Sequence, residues 1–391
     1  MKSSFRKFRG RTAIVGIGQT PYYKRGTSPE PEQKLTLRAI VAACEDAGID
    51  PRDVDGFVSY GSDKNDGQRL MPALGTKEIR FDALVWTHGG GIPGALGLAG
   101  AAIVSGQAEI VAVYRGMTEG IGGRLRLAVA QSDTAAQHIV NGMDAPVQRC
   151  AMRSQRMIEA DGVPAEAMRA IALASYHHAR NNPDAIGRHI ELDADAYESS
   201  RWISEPYHVF DCSRENDAAV AVLVVSAERA KDLRQRPAYV LSAPMGAPHR
   251  WGALEENFEP YTSSGMTQIA KRLWAESGYG PSDVDVAQIY DNFTGIGVAA
   301  MIDHGFFAAA QAGEFMQVKN LIAPDGKLPI NTSGGNLAEG FIHGMGLVPE
   351  AVRQIRGQST NQVPDVNLSL MTGGPADMVV STALLGTEST L

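Results

Sequence analysis

One short segment occurs twice in this chain, 230 positions apart. Gly48-Ile49-Asp50-Pro51-Arg52-Asp53-Val54-Asp55 shares five identities with Gly278-Tyr279-Gly280-Pro281-Ser282-Asp283-Val284-Asp285, and the same offset pairs Tyr60 with Tyr290. A match embedded in the same order of elements points to duplication, which constrains the fold strongly because each copy is one supersecondary unit that needs a partner to bury its apolar face. The first copy reads as a buried strand at 12–17, a helix at 35–47 stopped by Gly48, and a strand at 54–60. Pro93 then opens a small-residue helix at 95–105, Gly106 closes it, and a strand follows at 109–114. The second copy offers a Gly334-Gly335 turn, an amphipathic helix at 350–356 ending at Gly357, and a strand at 366–371. The prediction is an α/β chain of two βαβαβ halves.

Between the halves the texture changes. Helical runs at 145–160 and 164–179 and a polar tract at 180–195 predict a helical insertion, after which a strand at 219–225 closes the first half. The predicted division is 1–116 with 207–235 for the first half, 117–206 for the insertion and 236–391 for the second half. Ligands of open α/β sheets bind beyond the carboxyl ends of the strands. That assigns the chemistry to the loops at 86–94, 290–297, 331–345 and 371–377.

A net charge of -8 and a pI near 5.6 argue against nucleic acid or an anionic membrane as partner, since either needs a basic patch. No run reaches the eighteen or so apolar residues of a membrane span. Cys44, Cys150 and Cys212 are far apart and form no CxxC pair, which fits a reducing cytoplasm and predicts no metal site.

Four motifs carry potential chemistry. Gly16-Ile17-Gly18 follows a strand but lacks the third glycine of a dinucleotide fingerprint, and Pro21-Tyr22-Tyr23 prevents an immediate helix; the glycines read as a tight turn. His88-Gly89-Gly90-Gly91-Ile92-Pro93-Gly94 precedes an apolar helix whose first turn presents free N–H groups, an oxyanion position, yet no Cys or Ser stands there. Tyr290 ends a strand and is a candidate for proton transfer, with Asp291 read as the cap of the next helix. The glycine-rich run 331–345 places Glu339 and His343 four residues apart and is the most unusual stretch. The cysteines read as packed thiols.

Asp211-Cys212-Ser213, Asn216-Asp217-Ala218-Ala219, Tyr290-Asp291-Asn292-Phe293 and Asn331-Thr332-Ser333-Gly334-Gly335, together with the duplicated halves, resemble the thiolase superfamily, in particular its sterol-carrier and lipid-transfer branch. The resemblance implies a thiolase fold: a five-layered α-β-α-β-α core carrying the insertion. It also exposes departures. Where such a thiolase has its nucleophilic Cys this chain has Gly91; Gly340-Phe341-Ile342 stands for Gly-His-Pro; Met371 replaces the second Cys ahead of Thr372-Gly373-Gly374; and Tyr290 replaces a His. Without either thiol no acyl-enzyme forms at that site.

Cysteine-free relatives of this pattern resemble bacterial aldolases that cleave steroid side chains. The resemblance implies retro-aldol cleavage of a bulky β-hydroxyacyl-CoA, no cofactor beyond the coenzyme A of the substrate, a homodimer joined through the thiolase core, and a small partner with an OB-fold and a zinc ribbon. A free phenol is only about 0.1% ionised at neutral pH, so Tyr290 is read as acid or shuttle and His343 as base, with Glu339 beside them. The expected pocket comprises His88, Gly90, Gly91, Gly335, Phe341, Met371, Gly373 and Gly374. A second tyrosine is expected near 340–343, where this chain has Phe341. The alternatives are a non-catalytic subunit that binds acyl-CoA or lipid, and an acyltransferase.

Overall fold

The computed structural model describes residues 8–61, 63–118, 120, 133–248, 259–377 and 379–391. Among these, strands join in the spatial order Val286–Gln288, Leu368–Thr372, Val380–Gly386, Ala238–Ser242, Thr12–Gln19, Asn216–Ser226, Ile110–Thr118, Gly56–Tyr60 and Phe81–Val85. Pairing is parallel only toward the two ends of this series and antiparallel in its middle. The two halves meet where Ala13 and Ile14 pair with Tyr239 and Ala238.

Strand alternation turns this sheet into layers. Ala13, Val15, Phe57, Tyr114, Leu223 and Val225 face the helix Glu32–Ala47, whereas Ile14, Val58, Val113, Val222 and Val224 face the opposite way, onto the helix Ile92–Val104. In the second half Val240, Ala383 and Leu385 join that same inner cluster with the helix Leu347–Arg356, and Leu241, Leu370 and Leu384 point outward with Leu273 and Met301 of the helices Thr267–Ser277 and Thr294–Asp303. The result is the expected α-β-α-β-α stack. Because both faces of the long central strand are covered, Asn216–Ser226 is buried along nearly its whole length.

The duplication is physical as well as textual. Gly48 (φ 74°) and Gly278 (φ 81°) end equivalent helices in the left-handed region, and the 3-10 turns Pro51–Asp53 and Pro281–Asp283 follow. Asp55 then accepts the backbone N–H groups of Glu109 and Ile110 at the start of one neighbouring strand, and Asp285 does the same for Asn367 and Leu368. The identical aspartates are joints between parallel strands.

Two expectations change. Gly16 and Gly18 form no turn; they lie inside Thr12–Gln19, where a β-carbon would stand 2.1 and 2.2 Å from the carbonyl oxygens of Ala43 and Ala39, so they let the Glu32–Ala47 helix pack directly on the strand. The amphipathic helix expected at 350–356 begins at Leu347 and, being a central layer, buries its polar face as well as its apolar one. Its charges are satisfied internally: Glu350 accepts from Thr332 and Ser359, and Arg356 meets Asp46 at 2.8 Å and donates to the Val15 carbonyl. Of the expected insertion, residues 119 and 121–132 lie outside the described residues; Pro146–Asp161 and Glu166–Ala179 are its main helices.

Candidate active site

Chain segments from both halves converge at the start of the Ile92–Val104 helix. A 3-10 turn, Gly89–Gly91, leads into it without a side-chain cap. Asp377 organises this turn: its Oδ2 accepts the N–H groups of His88 (3.0 Å) and Gly90 (3.1 Å), and its other oxygen lies 3.6 Å from His88 Nδ1. That contact raises the His88 pKa above its ordinary value. The Gly373-Gly374 turn packs backbone to backbone against the first, with Gly374 N–H donating to the Gly89 carbonyl at 2.8 Å.

These contacts correct the expected oxyanion hole. Gly90 N–H is engaged by Asp377, Gly91 N–H by the His88 carbonyl, Gly373 N–H by the Ser381 carbonyl and Gly374 N–H by Gly89. The four amides build the turn and are not free to receive a developing negative charge.

Tyr290 sits on this turn. It is 3% exposed, its backbone N–H donates to Thr372 Oγ1 at 2.8 Å, and its ring lies against Gly344, where a β-carbon would be 2.6 Å from the ring. Its hydroxyl rests on Gly89, where a β-carbon would be 2.0 Å from the oxygen. Burial raises the phenol pKa well above its ordinary value, with Tyr60 and Asp377 adding to the effect, so the group is protonated. At Gly91, the position expected to face the reacting atoms, a β-carbon would meet Tyr60 Cβ and Thr87 Cγ2 at 2.8 Å. No thiol fits there, and the glycine whose side chain would project toward Tyr290 is Gly89.

His343 and Tyr290 share one neighbour, Phe341, whose ring is edge-on to both at 6.3 Å from Tyr290 and 5.5 Å from His343. The His88 ring is 6.2 Å from that of His343. His343 adopts a left-handed backbone (φ 45°), and Tyr60 Oη donates to its carbonyl at 3.1 Å. Arg115 Nη2 stands 3.3 Å from His343 Nδ1, and Asp63 in turn pairs with Arg115 at 3.1 Å. Burial first, then Arg115 and His88, push the His343 pKa well below its ordinary value. The imidazole is therefore neutral. A guanidinium offers only donors, so Nδ1 is the acceptor and this network assigns the proton to Nε2. The ring nitrogen left free of Arg115 is Nε2.

Other expected residues go elsewhere. Glu339 is buried (1% exposed) and accepts from Ser333 Oγ and Asn182 Nδ2; among the described residues no hydrogen bond joins it to Tyr290 or His343. Burial raises its pKa to about 8. Gly335 (φ 61°) is filled against Asp291, whose Oδ2 would be 2.4 Å from a β-carbon. Asp291 does not cap its own helix, where Phe293 is the N-cap; it accepts the Asn336 N–H at 2.8 Å and so holds the short helix Gly335–Ala338. Met371 packs in the inner core with Tyr290, Ile342 and Met345. Cys44 is fully buried, its thiol pushed up to about 12, and the Cys212 thiol, likewise raised by burial, donates weakly to the His208 carbonyl. The sequence reading missed Arg115, Asp63, Tyr60 and Asp377. Two of them carried a usable signal: Arg115 as a cation inside the apolar strand Ile110–Thr118, and Tyr60 as the duplicate of Tyr290.

Residues 250–387 match the Thiolase C-terminal domain-like family. Across 379 residues the chain is 36% identical to the steroid side-chain-cleaving aldolase of Thermomonospora curvata, covering 93% of this chain and 95% of that one. The chain belongs to the thiolase-like side-chain-cleaving aldolase family. A second member, the 17-hydroxy-3-oxo-4-pregnene-20-carboxyl-CoA lyase of Mycobacterium tuberculosis, is 34% identical over 375 residues, 93% of this chain and 96% of that one. The solved Ltp2-ChsH2(DUF35) aldolase matches this family member with a TM-score of 0.91 at 34% identity, covering 97% and 99% of the two chains. Human mitochondrial 3-ketoacyl-CoA thiolase, at 13% identity and a TM-score of 0.69 over 96% and 98% of the chains, shares the fold.

Proposed function

We propose that this chain is a retro-aldolase that splits a bulky, steroid-like β-hydroxyacyl-CoA into a ketone and a short acyl-CoA such as propionyl-CoA. The observation that carries the reading is the protonated Tyr290 hydroxyl seated on Gly89, with the neutral imidazole of His343 packed on the same Phe341 ring as Tyr290. Retro-aldol cleavage breaks the Cα–Cβ bond as the β-hydroxyl loses its proton and becomes the ketone. The electron pair moves into the thioester as an enolate, which regains a proton at Cα. One proton leaves and one returns, so a phenol that hands its proton to Cα while taking the hydroxyl proton balances the reaction. His343 Nε2–H serves the enolate oxygen, a role worth about 100-fold or more in rate for a well-placed donor. Glu339 is outside this machinery and supports the loop.

The family relative solved as the Ltp2-ChsH2(DUF35) aldolase carries a second component in its name, which supports a partner protein for this chain too; the partner proposed is a small protein with an OB-fold and a zinc ribbon. A homodimer is supported by the Phe81–Val85 strand at the end of the sheet, where Leu84 is 44% and Trp86 77% exposed. No helix among the described residues is long and apolar enough to cross a membrane, and the proposed site of action is the cytoplasm. No cofactor is required beyond the coenzyme A of the substrate.

Phe341, in place of the expected second tyrosine, favours one other reading, a subunit that binds acyl-CoA without cleaving it. The purified chain, alone and with its partner, is incubated with a β-hydroxyacyl-CoA while mass spectrometry follows ketone and shortened acyl-CoA. Both products support the aldolase; bound but intact substrate in both preparations supports the subunit.

A further inference from the structure

Beneath the site lies a buried ion pair that neither proton transfer nor packing explains. Arg115, in the apolar strand Ile110–Thr118, is 4% exposed; neither its Nε nor its Nη1 makes a hydrogen bond among the described residues, Nη1 lying at ion-pair distance, 3.1 Å, from Asp63 Oδ2. Burying a guanidinium and a carboxylate together is frequently no more stabilising than an apolar pair of the same size, so stability alone gives no reason for it. The pair is nonetheless closely anchored. Besides Arg115, Asp63 receives the Ser59 hydroxyl at 2.9 Å and the N–H groups of Asn65 and Gly116 at 2.9 and 3.2 Å. The remaining guanidinium nitrogen, Nη2, meets His343 Nδ1.

We infer that Arg115, anchored by Asp63, is a positioning residue that fixes His343 as an Nε2–H donor toward the thioester oxygen of the substrate. The inference rests on the aldolase reading for its catalytic consequence, but the tautomer is a property of the resting protein. Two further contacts make the placement specific. His343 holds a left-handed backbone, which costs a β-carbon-bearing residue about 1 kcal/mol or more and persists only where the surroundings demand it. Those surroundings are Tyr60 Oη on its carbonyl and Gly344 following it. The charged and titratable groups facing the ring are Arg115, His88, Asp377 and, through Arg115, Asp63; Tyr60 and Phe341 complete the enclosure. Of the two carboxylates, Asp63 is neutralised by Arg115 and Asp377 is already occupied by His88 and two backbone amides.

The test uses nitrogen NMR of enzyme labelled at histidine, with the His343 signal assigned by its loss in His343→Gln, alongside pH–rate profiles. Wild type is expected to show the Nε2–H tautomer, unchanged between pH 5.5 and 8.5. Arg115→Met paired with Asp63→Asn, which leaves no orphan carboxylate, is expected to mix the tautomers, bring a His343 titration into that range, and lower kcat about 100-fold with KM changed little. Arg115→Lys, which keeps a cationic donor, should restore part of kcat and the single tautomer. A wild-type Nδ1–H tautomer, or a wild-type His343 that titrates between pH 5.5 and 8.5, would overturn the inference even if the paired variant does not fold; so would a folded paired variant whose His343 keeps the single Nε2–H tautomer. If the wild-type tautomer is as expected and no preparation cleaves substrate, the aldolase reading fails while the positioning of His343 stands.

Discussion

The Tyr290 hydroxyl occupies the space into which a side chain at Gly89 would project, 2.0 Å from where its β-carbon would be. Here an acid from the second half of the duplication reaches across to a glycine of the first, and each residue makes sense only with the other. Gly89 is outside the left-handed region, so space alone excludes a side chain there. Gly89→Ala should displace the phenol by about 1 Å and lower kcat roughly 100-fold while the protein stays folded. Steady-state kinetics and a melting curve check this; unchanged kcat would detach Tyr290 from the turn.

Tyr290→Phe removes the proton and keeps the ring that packs on Gly344 and Phe341. Cleavage should fall by roughly 100- to 10,000-fold. Acyl-CoA binding, measured by calorimetry, should persist. Retained cleavage would remove Tyr290 from the chemistry.

Buried acids set the pH dependence of stability. Glu339 has a folded pKa of about 8 against an ordinary 4.5, and Asp291 about 7 against 3.8, burial being the main cause in both. A raised folded pKa means the native state holds the proton more tightly, so the contribution is complete below the ordinary value and is lost as pH rises to the folded one. Stability should therefore decline from about pH 4.5 to pH 8. Glu339→Gln, which keeps the shape without the charge, should melt several degrees above wild type at pH 8.5 and show a flatter pH profile. A lower melting temperature than wild type at pH 8.5 would contradict the assignment.

Replacing Cys44, Cys150 and Cys212 together, by Ala at the fully buried Cys44 and by Ser at the others, should leave kcat within about twofold of wild type. The core substitution lowers the melting temperature modestly. A loss of turnover with the fold intact would restore a thiol to the mechanism.

The fold was legible because duplication writes the same signals twice: Gly48 and Gly278 must end helices, and Asp55 and Asp285 must join strands, at a fixed offset. Tyr290 and His343 were legible as residues with unusual loop surroundings, and the structure brings both to one place. Their roles were harder to read. The base role expected of His343 yields to Arg115, a residue 228 positions away that no local pattern connects to it. Glu339 stood four residues from His343 in sequence, but the short helix Gly335–Ala338 and the turns around it carry its carboxylate to Ser333 and Asn182 instead. Gly16 and Gly18 misled because a close helix–strand approach and a turn demand the same residue, and only the position of Ala39 and Ala43 distinguishes them. The glycine amides misled for a related reason: a glycine-rich turn can offer its N–H groups or use them, and Asp377 decides the matter for Gly90 from the far end of the chain.

At the centre of the account stands cleavage with no bond between enzyme and substrate. Intact-protein mass spectrometry of the enzyme, quenched at several times during turnover of a β-hydroxyacyl-CoA, tests it directly. The account predicts the unmodified mass at every time point while ketone and shortened acyl-CoA accumulate. An added acyl mass that appears and decays at the rate of turnover would contradict it.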